Sequence, residues 1–179
     1  MDETPSKSPD AGLPPAPVVR ILSGMSDGGE AGPGTVEATR SGSGYGIDIV
    51  GLPDAAIRES RHRILRAARR FGFDEEAGRV LFNLVPANRR KDGAALDLPM
   101  AVAYLSAQLG RRLGGAENYL VAGEIDLDGG ARGLGIALPL ARLARARGLR
   151  GLIVPPEVVE EAACVEGLEV HGVASVGEA

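Results

Sequence analysis

The sequence predicts a mixed α/β layer fold. Three observations carry that prediction. Several strand-like runs come early, and strand-like and helix-like segments then alternate to the end of the chain. A hydrophobic fraction of 44% in 179 residues suffices for one substantial core, so one domain is expected, over residues 18–179.

Residues 1–17 place Pro5, Pro9, Pro14, Pro15 and Pro17 among polar neighbours, and are expected to be a disordered Pro-rich tail. Residues 18–22 read as a first strand, 26–34 as a Gly-rich turn, and 35–40 as an alternating strand. Residues 41–46 read as a hairpin-like connection to a third strand at 47–50. Pro53 opens a helix, with Asp54 in its first turn, where the helix dipole favours a negative charge. Ile57, Ile64, Leu65, Ala68 and Phe71 share one side of it, and Gly72 ends it. A strand over 79–85 stops at Pro86, and 87–95 read as a loop. Asp97 is read as the cap of a helix over 98–109, with Pro99 near its first turn. A strand at 119–127 runs into an Asp-Gly turn at Asp128 and Gly129. A helix at 136–147, a strand at 152–154, a helix opened by Pro155 and Pro156 to about Cys164, and a strand at 168–173 complete the chain. No internal repeat is present.

Composition narrows the function classes. The apolar runs are too short to span a membrane, and residues 1–17 hold no basic stretch followed by an apolar one, so no signal peptide is expected. Cys164 is the single cysteine and cannot form an internal disulfide, which fits a reducing cytoplasm. A formal charge of −4 makes no global case for nucleic acid. The charge is uneven, however. Basic residues gather over 58–70 and again at Arg89, Arg90 and Lys91, which are read either as a candidate interaction surface or as ordinary solvated faces. No Lys or Arg follows Arg150, while Glu157, Glu160, Glu161, Glu166, Glu169 and Glu178 accumulate.

Within the first helix, Arg58, His62, Arg66, Arg69 and Arg70 recur near i, i+4, i+8, i+11 and i+12, opposite the apolar side. Three readings stay open for this stripe: a solvated helix face, a surface for an acidic protein partner, or a phosphate-binding face for DNA. Aromatic residues that would stack on bases are few. The loop at 91–99 ends at a helix start, whose free N–H groups would suit an anion, or simply a cap. No G-x-x-x-x-G-K-[ST] occurs, and the Gly run at 129–135 departs from G-x-G-x-x-G and reads as a turn. His62 and His171 stand in no nucleophile motif and read as surface residues. One Cys and two separated His give no zinc spacing. No metal or other cofactor is expected.

Four blocks carry a family resemblance: "IVGLPDAAIRESRHRI" at 49–64, "NLVPANRRKDGAALDLPMAVAYL" at 83–105, "GEIDLDGGARGLGIALPLARLARARG" at 123–148, and "EGLEVHGVASVGEA" at the C-terminus. Their order and spacing resemble the N-terminal domain of the ComM/YifB family of magnesium-chelatase-like AAA+ ATPases. The resemblance implies an α/β fold shared with the second domain of a ribosomal small-subunit protein and with the Lon peptidase domain. It also implies work beside an AAA+ module that forms rings and drives branch migration of DNA. The Lon comparison tests for catalysis, which needs a Ser activated by a Lys. The matching loop has Ala94 and Ala95, and the matching helix has Ala137, Leu138 and Pro139.

The expectation is therefore a non-catalytic binding or assembly domain acting in DNA processing and transformation. Its expected partner is an AAA+ ATPase supplied in trans or a further copy of itself, with DNA as another candidate and no membrane. The rival expectation is a small Lon-like hydrolase with a relocated catalytic pair.

Overall fold

The computed structural model describes residues 16–27, 29–42, 44–74, 77–86, 94–133 and 135–179. The expected tail lies outside these residues except for Ala16 and Pro17, and Arg89, Arg90 and Lys91 lie outside them too. Among the described residues the elements run β1 (Val19–Asp27), β2 (Glu30–Arg40), β3 (Ile47–Val50), α1 (Ala55–Arg69), β4 (Val80–Val85), α2 (Asp97–Gln108), β5 (Tyr119–Val121), β6 (Glu124–Ile125), β7 (Ala131–Arg132), α3 (Ala137–Ala146), β8 (Gly151–Val154), α4 (Val159–Ala163) and β9 (Glu169–Gly172). Seven strands form one sheet in the order β3-β4-β2-β1-β5-β8-β9. β2 pairs antiparallel with both β1 and β4, and every other pairing is parallel, so β2 alone runs against the rest. The expected α/β class holds.

The turn expected over 26–34 is corrected. β1 and β2 form a long hairpin, from Val19 opposite Ala38 to Asp27 opposite Glu30, so Gly24, Gly32 and Gly34 lie inside strands. Packing explains the glycine at 24. A Cβ there would stand 2.4 Å from Leu140 Cδ2 and 3.1 Å from Leu143 Cδ2, so bare backbone lets α3 settle on the strand. The connection at 41–46 is no hairpin either. β3 leaves β2 and pairs parallel with β4, at the sheet edge. The single strand expected at 119–127 is two. The chain leaves the sheet after Val121, Gly123 N–H donates to the Ala95 carbonyl and Leu98 N–H to the Gly123 carbonyl, and β6 then pairs with β7.

Strand alternation divides the core. Val19, Ile21, Val36, Ala38, Phe82, Leu84 and Val121 point to one face and pack with α1 and α2. Leu120, Ala122, Leu152 and Val154 point to the other and pack with α3 and α4. α2 is buried on nearly all sides, the pattern of a core helix and not an amphipathic one. α1 keeps one face in solvent. On the face opposite α1 and α2, Arg20, Glu37 and Asn83 form a polar ladder across β1, β2 and β4. Arg20 Nε donates to Glu37 Oε1 at 2.8 Å and Asn83 Nδ2 to Glu37 Oε2 at 2.9 Å. The Asn83 amide, then Arg20, holds the Glu37 carboxyl below its usual range.

Candidate interaction face on the first helix

α1 begins at a turn that the sequence builds tightly. Gly51 has φ 97°, and a Cβ there would lie 2.2 Å from the Leu84 carbonyl oxygen of β4, so only glycine fits. Leu52 follows with φ 57°, the one non-glycine residue at positive φ among the described residues, and it is 57% exposed. Asp54 is not in the first turn, as expected from sequence, but is the N-cap. Its Oδ1 accepts from Ile57 N–H at 2.8 Å. Pro53 therefore precedes the helix, and its carbonyl accepts from Arg58 Nη1 at 2.7 Å.

Burial follows the predicted stripe: Ile57, Ile64, Ala67 and Ala68 are in the core and Leu65 packs against it. Phe71 lies past the last turn and is 43% exposed. The opposite side presents Arg58, His62, Arg66 and Arg69 to solvent, with exposed Arg61 beside them. Arg69 lies over the Tyr45 ring at 5.9 Å, and Tyr45 OH donates to the Leu65 carbonyl at 3.3 Å. Arg70 caps the helix C-terminus and turns aside to Asp128, 3.3 Å from its carboxylate. Arg61, His62 and Arg66 form no ion pair among the described residues. The structure thus brings Arg58, His62, Arg66 and Arg69 onto one exposed face and directs Arg70 away from it.

Behind this face lies a charged cluster that sequence reasoning missed. Asp97, fully buried at the start of α2, accepts from Ser60 Oγ and from Arg63 Nε at 2.6 Å. Arg63 Nη2 also reaches Ser60 Oγ at 3.3 Å. Asp97 was expected to cap α2. Instead it is the first helical residue, and Leu96 before it makes no side-chain cap bond. The carboxylate holds the Arg63 guanidinium more basic than usual. The signal was available: Ser60 falls three residues after Ile57 and four before Ile64, a polar residue inside an apolar stripe. The cluster joins the "GLPD…ES" block to the "DLP" block and fixes α1 against α2.

The remaining blocks hold the far end of α1. Asp126 Oδ1 accepts from Asp128 N–H at 2.9 Å and Gly130 N–H at 2.8 Å, and Oδ2 from Arg132 at 2.8 Å. The Gly130 N–H, foremost, keeps this carboxyl below its usual range. The C-terminal segment lies against that hairpin, with Ala131 N–H donating to the Ala174 carbonyl and Val176 N–H to the Gly129 carbonyl. His171 is exposed on β9, in T-shaped contact with Tyr119 and 3.5 Å from Glu169, which also accepts from Tyr119 OH at 2.7 Å. Ala95 is buried, and Leu138 and Pro139 lie half-buried in the first turn of α3. Among the described residues no His, Cys, Asp and Glu group could hold a metal ion, and no helix is long and apolar enough to cross a membrane.

Comparison with known proteins places these features. A family model described as subunit ChlI of Mg-chelatase matches residues 36–158. An uncharacterized protein of Mycobacterium tuberculosis is 36% identical over 143 residues, 80% of this chain and 28% of that protein. The uncharacterized protein YifB of Escherichia coli is 34% identical over 140 residues, 78% of this chain and 28% of its own. Competence protein ComM of Haemophilus influenzae is 31% identical over 131 residues, 73% of this chain and 26% of its own. The chain thus spans about a quarter of the length of the curated relatives it matches.

Proposed function

The chain belongs to the family of subunit ChlI of Mg-chelatase, with YifB and ComM among its relatives, and on that premise we propose that it is a non-catalytic binding and assembly domain that works with an AAA+ ATPase in DNA processing. The observation that carries this reading is the exposed α1 face. Arg58, His62, Arg66 and Arg69 stand in solvent on one side of a helix whose other side is fixed in the core. Arg66 and Arg69 stand three apart on this face, a spacing at which like charges lower helix stability by about a few tenths of a kcal/mol. None of the four side chains is buried, so the row is offered to solvent and to recognition rather than to the core. The name of ComM supports a setting in competence.

Residue identity supports the absence of catalysis. Alanine at 94 and 95 offers no nucleophile, and Leu138 and Pro139 offer no general base. ATP binding by this chain is not expected, since the Walker A lysine and hydroxyl are missing from its sequence. The Lon-like assignment of the fold belongs to the same reading, as does a cytoplasmic location.

The test is titration of the pure chain into a recombinant AAA+ ATPase module of the ComM type, with duplex DNA titrated in parallel. Saturable binding to the module with defined stoichiometry is expected, alongside no peptidase or ATPase turnover above a buffer blank. Lack of any binding to the module, or casein cleavage abolished by replacing one serine, would overturn the reading.

A further inference from the structure

We propose that Leu52 is the apolar anchor of this interface, and that it seats in an apolar socket ringed by carboxylates on the AAA+ module. The inference rests on the reading above and specifies the chemistry of the partner surface. Leu52 combines two features that do not help the isolated domain. Its backbone is left-handed, with φ 57°, a region that bulky side chains rarely adopt, and its side chain is 57% exposed. Asn or Gly would take the same backbone path with less strain. An exposed leucine held in a strained backbone region breaks a local rule, as residues at functional sites do.

The path itself is set one residue earlier. Gly51 passes so close to the Leu84 carbonyl that no side chain fits, and the chain then carries Leu52 outward. Val50, two residues before on the edge strand β3, is 47% exposed, so the turn presents two aliphatic side chains. Arg58 sits beside them, held by the Pro53 carbonyl at 2.7 Å, and Arg61 and His62 follow on α1. An apolar knob flanked by cations discriminates between partners. A phosphate backbone rewards the cations and leaves the leucine in water. A protein surface with a socket and a rim of Asp or Glu rewards both.

The left-handed backbone makes the proposal testable without loss of the fold. Leu52→Asn and Leu52→Gly, in the full chain, are compared with the parent by thermal melting and by calorimetric titration into the recombinant AAA+ module, with duplex DNA in parallel. The expected result is a melting midpoint unchanged or raised by about 1–3 °C. Affinity for the module should fall about tenfold or more, and DNA binding should stay within about twofold of the parent. If the parent binds the module and both folded variants bind it equally well, the anchor is wrong while the reading of the domain stands. If the variants melt well below the parent, Leu52 serves the domain's own packing and the anchor is likewise overturned. If the parent does not bind the module at all, the functional reading falls and takes the anchor with it.

Discussion

Asp97 holds its carboxylate at no exposure, satisfied by Ser60 and Arg63 from the neighbouring helix. Removing it leaves a guanidinium that is only a quarter exposed without its carboxylate, while the Ser60 hydroxyl keeps the Ala56 carbonyl as acceptor. Asp97→Ala should therefore lower stability by about 2–3 kcal/mol, and Ser60→Ala by about 1 kcal/mol, in urea unfolding at neutral pH. Equal midpoints for Asp97→Ala and parent would show the cluster to be dispensable. Tyr104 offers the opposite case. Its hydroxyl is buried in α2, and the Gln108 side chain beside it does not reach ordinary hydrogen-bond geometry; burial pushes its pKa up and Gln108 only partly opposes that. Tyr104→Phe should be neutral or stabilising by up to about 1 kcal/mol, because it removes an unsatisfied polar atom and leaves the ring. A loss above about 1 kcal/mol would reveal a partner for that oxygen. At this scale the sequence was legible where a residue obeys one rule. Gly72 ends its helix and Pro86 its strand. Asp97 and Ser60 act by a contact 37 residues apart; Ser60 stands out as a polar residue in an apolar stripe, but spacing along the chain does not name its partner.

The β6–β7 hairpin is an element whose stability should depend on pH. The Asp126 carboxylate is held below its usual pKa by the Gly130 and Asp128 N–H groups and by Arg132. A depressed carboxylate adds stability that is present above its unfolded value, near 4, and lost as pH falls through the lower folded value. Asp126→Asn should thus melt below the parent at pH 7, and the gap should narrow as pH falls below about 4. A gap independent of pH would assign the effect to geometry and not to charge. Elements with a clear period were readable in advance, above all α1, α3, β4 and β8. The long β1–β2 hairpin was not, because Gly29, Gly32 and Gly34 made 26–34 read as a turn, whereas Gly32 and Gly34 lie within β2 and the bare backbone at Gly24 in β1 lets α3 approach. The break between β5 and β6 escaped for a similar reason. The Gly123 backbone leaves the sheet to bond with Ala95 and Leu98, and apolar residues that recur as far as Leu127 hide that exit.

Across the whole molecule, α1 and α2 cover one face of the sheet toward the β3 side, and α3 and α4 cover the other face toward the β9 side. The cations of α1 and the exposed carboxylates of Glu157, Glu160 and Glu166 consequently lie on opposite faces. This separation was partly visible in the sequence as a charge asymmetry along the chain, but its placement on faces depends on the crossovers of the sheet. Of the expected interface, Arg58, His62, Arg66 and Arg69 meet on one surface. Arg70 is engaged by Asp128, and Arg89, Arg90 and Lys91 stand outside the described residues. The central claim is that this surface binds, and one measurement addresses it most directly. The chain carrying Arg58→Glu, Arg66→Glu and Arg69→Glu keeps every buried residue of α1, so it should fold, as circular dichroism and melting would register. Titrated against the AAA+ module and against duplex DNA over a salt series, the folded variant should lose affinity for the module by at least about tenfold. Any residual DNA binding of the parent should show a salt slope near −0.9 per phosphate neutralised, and that slope should shrink in the variant. A folded variant that binds both partners as well as the parent would contradict the account and leave α1 an ordinary solvated helix.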